Sequence, residues 1–289
     1  MDARYREILR RFGDERSEVE ERSGQFHDIL LTPTRAYRIP RTPSAVAQLR
    51  ETAQALDNLS SLGLVVRMPV VKALLEDSAP ACMVTSRIPG HSLPTDALTS
   101  ATALDSVATQ LLALLNDLQS APVLTRAREI LPTTSADRWQ SFAHDVQVHL
   151  YPLMSAAGEQ RATAELSAAT TLPVITTALV HGDLGGENLL WESGPLLSGV
   201  VDWDSAAIGD PAEDLAALMA GYGVVLGERI VQLAGWPEAL LARAHIIRGT
   251  FALQQALAGV FDGDADEVAD GLSEYGYRRS NEVLEKIKD

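Results

Sequence analysis

Between residues 179 and 204 the chain sets two aspartates and an asparagine where they could do chemistry together. The run reads Leu179-Val-His-Gly-Asp-Leu-Gly-Gly-Glu-Asn-Leu-Leu190 and is followed by Val201-Asp-Trp-Asp204. Asp183 could accept a hydrogen bond from an attacking hydroxyl and so orient it. At an ordinary carboxylate pKa its work is positioning more than proton abstraction. Asn188 offers a neutral oxygen, and Asp202, at the end of the apolar run 197–201, offers a charged one. Mg²⁺ prefers hard oxygen ligands, few of them from protein and the rest from phosphates and water. Transfer of a γ-phosphoryl group requires a hydroxyl held in line and cations to offset the spreading charge. Each residue alone has an ordinary explanation: His-Gly-Asp is a common turn, and Asp or Asn at a strand end commonly bonds local backbone. The order and spacing of all three, between apolar flanks, favour the chemical reading.

That spacing is the one by which protein kinases place a catalytic base and two magnesium ligands, with Gly182 standing where their His-Arg-Asp signature has arginine. The full string His181-Gly-Asp-Leu-x-x-x-Asn188, Asp202-Trp-Asp204 and Gly209-Asp-Pro-Ala-Glu-Asp-Leu215 resembles the aminoglycoside phosphotransferase family. Arg38-Ile-Pro-Arg41 and Ser198-Gly-Val-Val-Asp-Trp203 also resemble macrolide phosphotransferases. The resemblance implies an α+β, bilobal protein-kinase-like fold with a small β-rich N-lobe and a larger, mostly helical C-lobe. It implies Mg²⁺-dependent transfer from ATP or GTP to a hydroxyl of a small-molecule antibiotic, an aminoglycoside first. Asp183 would be catalytic, and Asn188 and Asp202 would hold the metal. Arg38 would face the α- and β-phosphates, with Arg41 as its competitor, and Glu51 would pair with Arg38. Hinge backbone from Thr85 through Ser86 and Arg87 to Ile88 would read the purine edge. Asp214 would hold the catalytic loop's backbone, and His181 reads as a brace that acts through hydrogen bonds.

Composition fits a soluble enzyme. A chain of 289 residues, 46% hydrophobic, is long enough to bury a large core. Its single cysteine, Cys82, excludes an internal disulfide and fits a reducing compartment. Met1-Asp-Ala-Arg-Tyr-Arg-Glu lacks a signal peptide's apolar core, and no apolar run is long enough to span a membrane, so the expectation is a cytoplasmic protein. A net charge of −15 disfavours nucleic acid as a partner and suits a cationic ligand, although general acidity for solubility explains it equally well. Glu187 and Asp204, close to the catalytic loop, are the carboxylates that could meet a cationic acceptor. The acidic segment 261–270 reads better as a solvated turn between helices, its charge favourable at the N-terminus of the last one.

The elements that must position these residues follow from pattern. Residues 1–12 read as an amphipathic helix, and 19–23, 26–31 and 35–39 as strands. Ser23-Gly24-Gln25 falls in the first turn, which in a kinase-like lobe would cover the phosphates with backbone N–H groups; with one glycine, an ordinary hairpin is the stronger reading. A helix is predicted from Thr42-Pro43 to about residue 60, and strands over 70–75 and 81–85 complete a sheet of five. Pro89-Gly90 marks a turn, which divides the chain into a nucleotide-binding lobe, 1–90, and a helical lobe, 91–289. Helices are predicted over 95–119, 135–154 and 158–170, strands around 189–191 and 197–201, and helices near 211–222, 226–234, 237–260 and 264–287. Three functions remain: a kinase of an aminoglycoside, a kinase of a macrolide or another small alcohol, and a non-catalytic nucleotide-binding protein. The joint presence of Asp183, Asn188 and Asp202 argues against the third.

Overall fold

The computed structural model describes residues 3–23, 27–76, 78–193 and 195–278. Helix α1 (Ala3–Arg11) buries Ile8 and Leu9 in a cluster with Leu30, Tyr37, Ile39, Cys82 and Val84, which come from strands of the first sheet. Five antiparallel strands make that sheet: β1 (Glu20–Ser23), β2 (His27–Leu31), β3 (Arg35–Pro40), β4 (Val71–Leu75) and β5 (Cys82–Ser86), in the order β1-β2-β3-β5-β4. β-branched and aromatic residues fill its inner face, as a half-buried pleat demands. Helix α2 (Pro43–Ser60) starts where Thr42 Oγ1 accepts from the Ala45 N–H (3.2 Å), with proline in its first turn. Its buried stripe is Ala45, Leu49, Ala53, Leu56 and Leu59, a spacing of three or four that turns one side inward.

By contact the chain falls into two compact units, Met1–Pro132 with Ala178–Ile208, and Thr133–Thr177 with Gly209–Asp289. The division falls at Pro132 and not near Gly90, and the segment carrying Asp183 belongs to the first unit. The reason is backbone bonding. His91 and Trp191 exchange N–H···O bonds (3.0 and 2.9 Å), and the Val200 N–H donates to Arg67 O (2.9 Å). Gly90 is needed for this approach: at φ +113° it lies so close to Trp191 that a Cβ would sit 2.7 Å from that residue's carbonyl oxygen. The first unit also holds α3 (Ala101–Leu118), α4 (Ala121–Ile130), β6 (Ala178–Val180) and the hairpin of β7 (Leu189–Glu192) with β8 (Leu196–Val200), while β9 (Ala207–Gly209) pairs with β6. The helix expected over 95–119 is in fact a short 3₁₀ turn and then α3, because the Ser100 hydroxyl accepts from the Ala103 N–H (3.1 Å) and starts a new helix.

The second unit is helical: α5 (Arg138–His149), α6 (Ala156–Thr170), α7 (Ala212–Tyr222), α8 (Val224–Ala234), α9 (Glu238–Gly249), α10 (Phe251–Asp262) and α11 (Ala265–Gly271). Val146, Leu150, Leu166, Leu253, Val268 and Tyr275 are part of its core. Residues 237–260, expected as one helix, divide at the buried Thr250, whose Oγ1 donates to Ile247 O (2.6 Å). Within the acidic segment, Asp264 caps α11 by accepting from the Asp266 and Glu267 N–H groups (3.0 and 3.1 Å). The last predicted helix runs into residues 279–289, outside the described residues. No helix among the described residues is long and apolar enough to cross a membrane.

Candidate active site

The loop that carries His181, Gly182 and Asp183 is a turn that favours glycine at its second position. Gly182 has φ +84°, and a Cβ there would sit 2.5 Å from Ser205 O. The arginine of a His-Arg-Asp signature cannot occupy this backbone. His181 is fully buried, and its Nε2 lies 3.0 Å from Val201 O while its Nδ1 accepts from the Asp183 N–H (3.2 Å). Both bonds are met by a neutral ring that carries its proton on Nε2, and burial, the largest influence, lowers the His181 pKa. The ring also rests against Trp203, with centroids 4.6 Å apart. His181 therefore ties the loop to the segment after β8.

Asp183 is exposed, and its Oδ2 accepts from Asn188 Nδ2 (3.0 Å). The same Nδ2 donates to Asp183 O (2.8 Å), and the Val201 N–H donates to Asn188 O (2.9 Å). With its nitrogen so used, buried Asn188 presents Oδ1 as its remaining donor atom toward a cation. Asp202 follows β8 in the left-handed region at φ 61°, a conformation that costs a non-glycine residue roughly 1–2 kcal/mol. Burial, the largest influence, raises its pKa, as do the carboxylates of Asp204 and Asp183, while the Arg38 guanidinium opposes them. A carboxylate strained in backbone and crowded by like charge is a good partner for a divalent cation. Asn188 Oδ1 and Asp202 make the sparse, all-oxygen donor set that suits Mg²⁺.

Arg38, Asn188, Asp202 and Asp204 line one cleft of about 360 Å³, together with Thr85, Ser86, Arg87 and Ile88. Its apolar wall includes Ile29, Leu31, Met83 and Leu190. Arg38 Nη2 donates to Asp204 Oδ2 (2.6 Å), and its Nη1 donates to Asp204 Oδ1 (3.1 Å) and Asp202 Oδ1 (3.4 Å). The expected partner Glu51 is exposed on α2, off the stripe led by Leu49 and Ala53, and Arg38 pairs with the two aspartates in its place. Arg41, the competitor for the phosphate-facing role, lies 3.8 Å from Asp28. The Ser23 hydroxyl donates to Asp28 Oδ1 (2.6 Å), and Gly24, the centre of the turn expected to cover the phosphates with backbone N–H groups, lies outside the described residues. Of the acceptor candidates, Glu187 lines the cleft with its carboxylate against Gly185, and Asp204 is taken up by Arg38. Along the segment expected as the hinge, the Ser86 N–H donates to Val70 O (2.9 Å) and the Arg87 N–H to Thr34 O (3.0 Å), so Ile88 carries the next N–H along the chain. Asp214 is buried in the first turn of α7.

Sequence reasoning missed His27, at the open end of β2. It is the first residue of that strand and lines the cleft, in the alternation His27, Ile29, Leu31 that faces inward. Burial first, then the Arg38 charge, lower its pKa to about 4 against a smaller pull from Asp204, so the ring is neutral at physiological pH.

The profile of a phosphotransferase enzyme family matches residues 20–249. The chain is 45% identical over 285 residues to viomycin phosphotransferase of Streptomyces vinaceus, a match covering 95% of this chain and 98% of that protein. The chain belongs to the phosphotransferase enzyme family. Solved structures agree on the fold. The GDP and kanamycin complex of an aminoglycoside phosphotransferase superposes with TM-score 0.78 at 22% identity, over 97% of this chain and 96% of that one. Macrolide 2′-phosphotransferase type I superposes with TM-score 0.72 at 19% identity, over 96% and 97%. This family member is thus a kinase-like phosphotransferase with a β-rich N-terminal region and a mostly helical C-terminal part.

Proposed function

We propose that the protein transfers the γ-phosphoryl group of ATP or GTP to a hydroxyl of an antibiotic, with viomycin as the first acceptor and aminoglycosides next. The observation that carries this reading is that Asn188, Asp202 and Arg38 line one cleft, with Asp183 bonded to Asn188 beside it and Asn188 tied through Val201 to Asp202. Its choice of acceptor rests on the 45% identity to viomycin phosphotransferase, against 22% to the aminoglycoside enzyme.

Each residue then has a part. The apolar wall takes the base, and the hinge N–H of Ile88 meets the purine edge. Arg38 grips the phosphates from one side with a planar fork suited to phosphate oxygens. Asn188 and Asp202 would hold Mg²⁺, which neutralises charge on the phosphates when bound. Asp183 accepts the hydrogen bond of the acceptor hydroxyl through Oδ1, its other oxygen being fixed by Asn188. The acceptor oxygen bonds to phosphorus as the bond to the bridging oxygen breaks, the nucleoside diphosphate leaves with that electron pair, and the hydroxyl proton passes toward Asp183. The amide of Asn188 holds the carboxylate and the imidazole of His181 holds the Asp183 backbone N–H still for this step, and such positioning is a large share of catalysis in phosphoryl transfer.

The test is nucleotide consumption with Mg²⁺ across viomycin, kanamycin, a macrolide and simple metabolite alcohols. Stimulation by viomycin above the other acceptors is expected. Stimulation by a metabolite alcohol alone would keep the chemistry and overturn the antibiotic assignment.

A further inference from the structure

Arg38 needs a counter-charge that also aims it. Only a fifth of its side chain is open to solvent, and a guanidinium grips phosphate well only when its plane is fixed. Helix α2 does not supply the carboxylate, since Glu51 is exposed off its buried stripe. The segment after β8 supplies it, and its two carboxylates are not equal. Asp204 meets both terminal nitrogens end-on at 2.6 and 3.1 Å, whereas Asp202 is reached by one nitrogen at 3.4 Å.

We infer that Asp204 is the positioning residue for Arg38. Its carboxylate holds the guanidinium toward the nucleotide phosphates, so that phosphate grip and metal ligation are set from one turn, Asp202-Trp203-Asp204, without help from helix α2. This rests on the phosphotransferase reading above. The turn is built for it. Trp203 between the two acids is buried, its Nε1 donates to Val200 O (3.1 Å), and its ring abuts His181, so neither carboxylate can move far without disturbing the loop that carries Asp183. The end-on pair uses one N–H from each terminal nitrogen of Arg38 and leaves the Nε–H and the second Nη2–H for phosphate oxygens. A divalent cation at Asp202 competes only for the longer contact and leaves the Asp204 clamp in place. Without the Asp204 carboxylate, Arg38 would turn fully onto Asp202 and occupy the metal's ligand.

The experiment compares Asp204→Asn, Arg38→Gln, the double variant and Glu51→Gln, each checked for an unchanged thermal midpoint. Direct binding of a fluorescent Mg²⁺-nucleotide is measured, with separate KM values for nucleotide and acceptor. Asp204→Asn should weaken nucleotide binding about ten- to hundredfold and raise the Mg²⁺ requirement, with the acceptor KM changed less than about twofold. The double variant should bind no more weakly than Arg38→Gln, and Glu51→Gln should match the parent protein. Asp204→Glu, which keeps the charge, should recover part of the loss. A raised acceptor KM with intact nucleotide binding in Asp204→Asn, additive losses in the double variant, or weakened binding in Glu51→Gln would each overturn the inference. If the parent protein binds nucleotide but phosphorylates none of the acceptors, the functional reading fails, and the binding comparison still decides the role of Asp204.

Discussion

At the scale of the residue, the site depends on a backbone that few side chains tolerate. Gly182 at φ +84° and Asp202 at φ 61° bracket the catalytic turn, and Ser205 O leaves no room for a Cβ on Gly182. Gly182→Ala should therefore shift the loop, lowering kcat by an order of magnitude or more and stability by at least about 1 kcal/mol. Steady-state kinetics and denaturant unfolding would check both, and a fully active, equally stable variant would contradict the geometry. The metal-ligand assignment makes its own prediction: Asn188→Ala should raise the Mg²⁺ concentration needed for half-maximal turnover and also loosen Asp183, whose Oδ2 loses its donor. The juxtaposition of Asp183, Asn188 and Asp202 was legible because they lie close in sequence with recognisable spacing. The partner of Arg38 was not, because Asp204 is 166 positions away and no local pattern announces a contact of that range.

At the scale of the element, two buried carboxylates tie secondary structure together. Asp14, just past α1, accepts from Tyr37 Oη (2.5 Å), Arg35 Nη1 (2.9 Å) and Thr32 Oγ1 (3.2 Å) and so fastens the N-terminal helix to β2 and β3. Burial alone would raise its pKa, but the hydroxyl and guanidinium partners outweigh it and hold Asp14 below the usual carboxylate value. A depressed acid stabilises the fold above its unfolded pKa of about 3.9 and loses that contribution as pH falls through the lower folded value. Thermal melts of the parent and Asp14→Asn should thus differ most near neutrality and converge in strong acid. A constant difference across pH would exclude this linkage. In the second unit, Asp210 leads into α7, accepts from the Ala212 N–H (3.0 Å) and pairs side-on with Arg243 (2.8 and 3.0 Å). Both side chains are largely buried, so Asp210→Ala should cost about 3–5 kcal/mol in urea unfolding. The exposed pair Arg161–Glu274 should cost about 1 kcal/mol or less when broken. Asp210-Pro211 was readable as a helix start, whereas α4 was not foreseen and the division at Thr250 was hidden, because threonine is a weak signal for a helix end.

At the scale of the whole molecule, sequence resemblance, fold and family agree, and the five-stranded sheet and helical second unit were largely legible because long amphipathic segments carry strong periodicity. The unit boundary was less so, since the return of residues 178–208 to the first unit depends on long-range backbone bonds at Trp191 and Val200. The charge of −15 belongs to this scale as well. If it draws in a cationic acceptor, the acceptor KM should rise severalfold toward 1 M salt, where the Debye length shrinks to about 3 Å, while kcat changes little. A KM indifferent to salt would assign the charge to solubility alone. The central claim is that Asp183 directs a γ-phosphoryl group onto an antibiotic hydroxyl. Its most direct test follows label from [γ-³²P]ATP or GTP into viomycin with the parent protein and Asp183→Asn side by side. The account predicts labelled antibiotic from the parent and a rate about 10²–10⁴-fold lower from the variant, with nucleotide still bound. Equal labelling by the two proteins would contradict it.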